Sequence, residues 1–511
     1  MTRDTVLTSV RALSDAFDEG RVTYCHWKSN DRLEDAAAGL TDLDLLIDEA
    51  HAEEARKRLA HLGFLPATAV WFRRYPGIED HLAVDPETGR LVHVHLHLRL
   101  VVGSRVTKPY RLPWEEQVLS RRERDPLVGL FRADAASELL LLVVRLVLKG
   151  AHLAAAQGAT TVDQPSLVEH RYLRARVDAE ACAELAATLL GPAAMEPVRR
   201  LCQCDPDADA LDSLARATAS TLRGFRRMSP PREYAATLGR LAGRLLHRAS
   251  RRASLILPQR RTLRGRGVIV SVLGADGSGK STLTRRLRTA LQTKLDVLGL
   301  YLGSGDGPSS LVRAPLDAVR RAASRRRQGQ VAAFNKHVGT GAEESAASPV
   351  ASSPYGNLAR LFGLVWSLAL ALEKRRKVAY AVVARERGFI VVTDRYPQTH
   401  VVRFNDGPRL NDLLSSRMGM LRAVARWERS CYEVDERRAP DLVIRLIGDP
   451  TVLAARRPEM PLEAILKKQQ AILDLPGYPG ARSLTIDAGL AEEASLATAL
   501  KHVWRVLQER Q

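Results

Sequence analysis

Aromatic residues are scarce in this chain of 511 residues, at 5% of the total, and cysteines number five. The cysteines are scattered, and the one close pair, Cys202 and Cys204, lacks C-x-x-C spacing, so neither a disulfide framework nor a zinc site is expected. Long apolar runs are missing as well. The longest are Leu139–Val144, stopped by Arg145, and Leu361–Leu372. A membrane span needs about 20 apolar residues, so both runs read as buried core helices and no transmembrane segment is expected. The start, Met-Thr-Arg-Asp-Thr, opens an amphipathic helix without the apolar core of a signal peptide, which points to a reducing cytoplasm. Acidic residues are outnumbered, 58 against 77 Lys and Arg, for a net charge of +19. What remains is a globular composition with length for about two to four domains.

The excess charge is local. Between Thr221 and Gly267 thirteen arginines face the single acid Glu233, and a second cluster holds Arg320, Arg321, Arg325, Arg326 and Arg327. Only Phe225 and Tyr234 lie among the first group, too few to stack the bases of a single strand. Residues 226–265 therefore read as an Arg-rich linker with one solvated helix, Tyr234–His247. There Arg240 and Arg244 line one side while Leu238, Leu241 and Leu245 line the other. An anionic polymer or membrane surface is the kind of partner such a linker suits.

The most specific motif follows. Val268–Leu273 is a β-branched, strand-like run, Gly274–Ser281 spells G-x-x-x-x-G-K-S, and a helical period continues from Leu283. This is the context of a phosphate-binding loop. Gly274, Ala275, Asp276, Gly277, Ser278, Gly279, Lys280, Ser281 and Thr282 would wrap the phosphates of ATP. The glycines let backbone N–H groups point inward, and the opening helix adds the positive end of its dipole. Lys280 would reach the β- and γ-phosphates, and the Ser281 hydroxyl would ligate Mg2+. Further on, the apolar strand Phe389–Thr393 runs into Asp394-Arg395-Tyr396. Asp394 at such a strand end could hold the metal or act as base, and Arg395 suits a phosphate on an acceptor. Arg456 and Arg457 fall after the strand Asp441–Ile447, where lid arginines would neutralise the moving phosphoryl group. The stretch from about 308 to 354 lacks a long apolar period and reads as a disordered insertion.

Residues 266–511 resemble the thymidylate kinase-like branch of the P-loop kinases, on the strength of Gly274–Thr282, Asp394-Arg395-Tyr396, the Pro440-Asp-Leu-Val-Ile strand and Asp487. The resemblance implies a Mg2+-dependent ATP phosphotransferase, a catalytic Asp276, Asp394 and Arg395, the lid pair Arg456 and Arg457, and a dimer. Leu273 stands where that family usually has a glutamate, and Tyr301–Gly307 replaces its R-E-P-G-G segment. The small-molecule phosphate acceptor is therefore left open.

Nearer the start, Thr41–Ile47 alternates as a strand, and period two puts Asp42 and Asp44 on one face. Paired carboxylates of this kind suit divalent cations. With Lys28-Ser-Asn30 upstream, this region resembles the nucleotidyltransferase superfamily, which implies Asp42 and Asp44 as metal ligands. The hairpin His81–Val84 and Leu91–Leu100 then places His93, His95 and His97 where that superfamily carries a third carboxylate. These histidines are either transition-metal ligands or half-buried neighbours of the carboxylates. The expected architecture is α/β: a nucleotidyltransferase-like α+β domain over 1–130, a helical subdomain over 131–225, the linker over 226–265, and a P-loop domain with a parallel sheet flanked by helices over 266–511. Three functions fit: the phosphotransferase, an ATP-binding regulatory or adaptor protein, and a bifunctional nucleotidyltransferase-kinase.

Overall fold

The strand Val268–Gly274 is buried at every position, as a strand covered on both faces must be. In the computed structural model, which describes residues 6–104, 106–157, 162–252, 256–303, 354–401, 407–458 and 460–510, it is the centre of a five-stranded sheet. Numbering strands in chain order over the whole chain, β11 is Val268–Gly274, β12 Val297–Tyr301, β13 Ile390–Asp394, β14 Leu442–Ile447 and β15 Arg482–Asp487. Their spatial order is β12-β13-β11-β14-β15, and every pairing is parallel. Parallel neighbours need crossover connections, and helices supply them, among them Lys280–Gln292, Pro354–Glu386 and Gly419–Arg437. Asp441, buried at the mouth of β14, accepts the Ile269 backbone N–H at 2.6 Å and pairs with Arg385 at 3.2 Å. It thereby locks β11 beside β14. The apolar run Leu361–Leu372 lies within one long helix, Pro354–Glu386, because no Gly or Pro breaks it beyond Gly363. The insertion over 308–353 and the cluster Arg320–Arg327 lie outside the described residues.

This sheet belongs to the second of two units, residues 267–289 and 297–499. The first unit takes in the chain up to Arg266 with 290–296 and the residues from Leu500 onward. Its main sheet has β1 Tyr24–His26, β2 Leu43–Ile47, β3 Leu65–Ala69, β4 Ile78–Val84, β5 Leu91–His97, β8 Glu123–Arg124, β9 Phe131–Arg132 and β10 Arg261–Leu263. The order is β10-β3-β4-β5-β2-β1-β9-β8, while β6 Leu100–Val102 and β7 Tyr110–Leu112 pair separately. Among the described residues, five helices follow between Ala135 and Gly224 and bury one continuous apolar cluster with Trp27, Trp114 and Leu139–Val144. Asp163, Asp178 and Asp207 start three of them by accepting backbone N–H groups at the N-cap.

The stretch read as a linker differs from its expectation. Arg261–Leu263 pairs antiparallel with β3, and in the helix Pro230–Arg252 the arginines Arg240 and Arg244 are half-buried while Arg232 and Arg248 are exposed. Arg240 donates to the carbonyls of Phe72, Arg74 and Val106, and its guanidinium lies 4.6 Å from the Tyr75 ring centre. Leu238, Leu241 and Leu245, which would ordinarily seek the core, are exposed. Hydrogen bonds to three loop carbonyls, of which Val106 also accepts from the Tyr75 hydroxyl, outweigh a leucine contact here. All five cysteines are free thiols. Among the described residues, no helix is long and apolar enough to cross a membrane.

Candidate functional site

The loop after β11 turns under a helix whose first residue is Lys280. Gly277 and Gly279 sit at φ +83° and +84°, the left-handed region that L side chains avoid. A Cβ on Gly277 would also lie 2.8 Å from the Leu453 carbonyl oxygen, so the loop packs closely under the segment that carries Arg456 and Arg457. The N–H groups of the first helical turn have no intrahelical acceptor and aim into a cavity of about 470 Å³ lined by Asp276–Leu283, Arg456 and Arg457. Gly274 and Ala275 lie buried at the strand's end, where a Cβ on Gly274 would meet the Ser278 hydroxyl at 2.3 Å.

Lys280 is buried, and its ammonium donates to the Ala275 carbonyl and to Asp276, each at 3.2 Å. Burial pulls its pKa down, and Asp276 partly restores it. Asp276 also meets Lys468 of the helix Leu462–Leu473 and lies 3.8 Å from Arg395. Burial works against its charge, but the Lys468 hydrogen bond and the charges of Lys280 and Lys468 hold its carboxyl at about 2. One carboxylate therefore gathers three cations where an incoming phosphate would need them. Lys468 carried no sequence signal, since it lies in an ordinary amphipathic helix 192 positions from its partner.

Asp394 ends β13, beside β11 and next to Arg395, whose φ of +69° is rare for a residue with a side chain. The Ser281 hydroxyl donates to Asp394 at 3.1 Å. Two hard oxygen donors side by side at the foot of the loop fit Mg2+, which would be held there by Ser281 and Asp394. Arg456 donates to the carbonyls of Ala488 at 3.0 Å and Gly277 at 3.5 Å, tying the segment down, while Arg457 lines the cavity.

Asp42 and Asp44 have different company. Asp42 lies just before β2 and Asp44 within it, and the parallel neighbour β5 sets His95 opposite Asp44. His93 bridges Asp42 at 3.0 Å and Asp80 at 2.9 Å. His95 and His97 both reach one oxygen of Asp44, at 3.1 and 3.0 Å. Burial disfavours a charged His95, but its bonds to Asp44 and Asp80 win and raise it to about 8. Lys28 lies 3.1 Å from Asp44, and Lys294 contacts Asp42 within the same unit. Mg2+ calls for oxygen ligands, and these carboxylates face imidazoles and ammoniums instead, so the residues do not fit it. Asp80 is a further carboxylate in this cluster, 2.9 Å from His93 and 3.1 Å from His95. A sequence strand begun at His81 missed it, because β4 in fact starts at Ile78.

A loop of this form between a buried strand and a helix, in an all-parallel sheet with an aspartate ending the next strand, defines an α/β fold of the P-loop type. No protein-family model matches the chain. Its relatives include the uncharacterized ATP-binding protein YghS of Escherichia coli, 28% identical over 240 residues, which span 47% of this chain and 93% of YghS. The uncharacterized ATP-binding protein YghR of Escherichia coli is 28% identical over 242 residues, 46% of this chain and 86% of YghR. A solved thymidylate kinase from Candida albicans superposes with a TM-score of 0.28 at 13% identity, over 48% of this chain and 95% of that one.

Proposed function

We propose that the second unit binds ATP with Mg2+ and transfers the γ-phosphoryl group to a small, phosphorylated acceptor. One observation carries the reading: Lys280 and the loop N–H groups share one cavity, with Ser281 and Asp394 in contact at its foot. The ATP-binding relatives support the identity of the donor. Mg2+, held by Ser281 and Asp394, would supply charge neutralisation between phosphates. The chain's own groups do the rest. Lys280 draws negative charge from the transferring phosphate, Arg457 covers it, and Arg395 and Lys468 surround the place where Asp276 would meet an acceptor. Catalysis of this kind is almost wholly positioning and electrostatics, so Lys280→Ala should cut ATP affinity or turnover by about 100-fold or more. Titration calorimetry with ATP, with and without Mg2+, and product analysis over nucleotide and sugar-phosphate acceptors are the tests. Unchanged ATP binding in Lys280→Ala, or no phosphorylated product from any acceptor, would overturn the reading.

A further inference from the structure

The first unit contains a cleft of about 420 Å³ between β3, β4, β5 and β10, and its charge is out of balance. Three acids line it, and each is already engaged. Glu79 is held by Arg56 through two bonds at 2.8 and 2.9 Å, Asp80 by Arg261 at 2.8 Å, and Asp44 by Lys28 at 3.1 Å. The remaining cations, Arg73, Arg74, Lys108 and Arg264, have no carboxylate in ion-pair reach among the described residues. Lys108 is the deepest, its ammonium 4.6 Å from the Tyr75 ring centre. Like charges gathered in a concave, partly desolvated place repel one another until an anion enters.

We infer that this cleft binds a compact, multiply charged oxyanion of the phosphomonoester or diphosphate kind, without a metal ion, through Lys108, Arg261, Lys28 and the rim residue Arg73. The ammonium of Lys28 stands on Asp44 where a metal-dependent transferase would keep its cation, and Lys294 does the same at Asp42. Neutralised in this way, the aspartates orient Lys28 and the imidazoles rather than hold Mg2+. Arg261, fixed by Asp80 at Nε and by His95 at Nη2, keeps its outer N–H donors at the floor, where they suit phosphate oxygens. The cleft volume accommodates a diphosphate or a phosphorylated small molecule but not a folded polymer.

The test uses the full chain carrying Lys280→Ala, so that the loop of the second unit contributes little. Inorganic pyrophosphate is titrated calorimetrically in EDTA at low salt, and again with Mg2+, Mn2+ or Zn2+. Binding in EDTA is expected, weakened at least about tenfold by Lys108→Ala, since charge-assisted bonds are worth that much. Arg73→Ala should weaken it a few-fold and flatten its salt dependence. Arg73 is exposed, so its variant decides the matter even where Lys108→Ala fails to fold. Binding only with a divalent ion, binding untouched by Arg73→Ala, or no binding at all would each overturn the inference.

Discussion

The two places proposed to take anions in this chain are built by opposite means. In the second unit the donors are mostly backbone N–H groups of one short loop, and the side chains Lys280, Ser281 and Asp394 only finish it. In the first unit the donors are side chains on β10, on the segment before β7, and at Lys28 and Arg73, with no glycine-rich loop among them. A backbone cradle depends on where strands and turns lie. A side-chain cleft depends on charge, so it should tolerate small shifts of the chain and respond strongly to salt.

The largest expected effect tests that dependence on strand placement. Asp441→Ala removes the acceptor of the Ile269 N–H and leaves the buried guanidinium of Arg385 to Glu386 alone, so the second unit should lose about 2–4 kcal/mol. Thermal unfolding would show it as an early transition, with pyrophosphate binding by the first unit retained. Loss of both sites together would break the comparison. Smaller in scale, Gly277→Ala forces a side chain into φ +83° and against the Leu453 carbonyl, at a cost of about 1–2 kcal/mol, and should reduce ATP affinity about tenfold. Calorimetry checks this, and an unaltered affinity would mean that the loop is not a backbone cradle. Smallest, Asp276→Asn frees Lys280, Arg395 and Lys468 from a competing carboxylate. ATP should then bind a few-fold more tightly while kcat falls, because Asp276 would also face the acceptor. A steady-state separation of kcat from KM tells the two effects apart.

The same contrast explains what could be read from the chain before its fold. Gly274–Thr282 was legible because its chemistry is contiguous: glycines, lysine and hydroxyl arrive in the order in which they act. Asp394 was legible because an apolar run ended on it. The histidines of β5 and the acids near β2 were visible by their period of two, yet their meaning was not, since the cations that answer them come from remote segments. Lys294 lies 252 positions from Asp42, and Arg261 lies 181 from Asp80. Asp80 itself was lost to a strand boundary set three residues late. The arginines of 226–265 were misread for a related reason. Composition cannot tell a solvated charge from one whose guanidinium closes a loop's open carbonyls, as Arg240 does.

The pairing of β10 with β3 bears on how the molecule can be divided. A fragment cut near residue 225, where composition alone suggests a boundary, would leave β3 as a bare edge with its ladder groups unpaired. Such an edge recruits strands from other copies, so the fragment would be prone to sheet-to-sheet aggregation while each of its helices was intact. It would also lack Arg261 and the tether of Arg240. The arginine-rich stretch is therefore the selvedge of the first sheet, and a dissection that respects the fold keeps it, together with 290–296 and the residues from Leu500 onward.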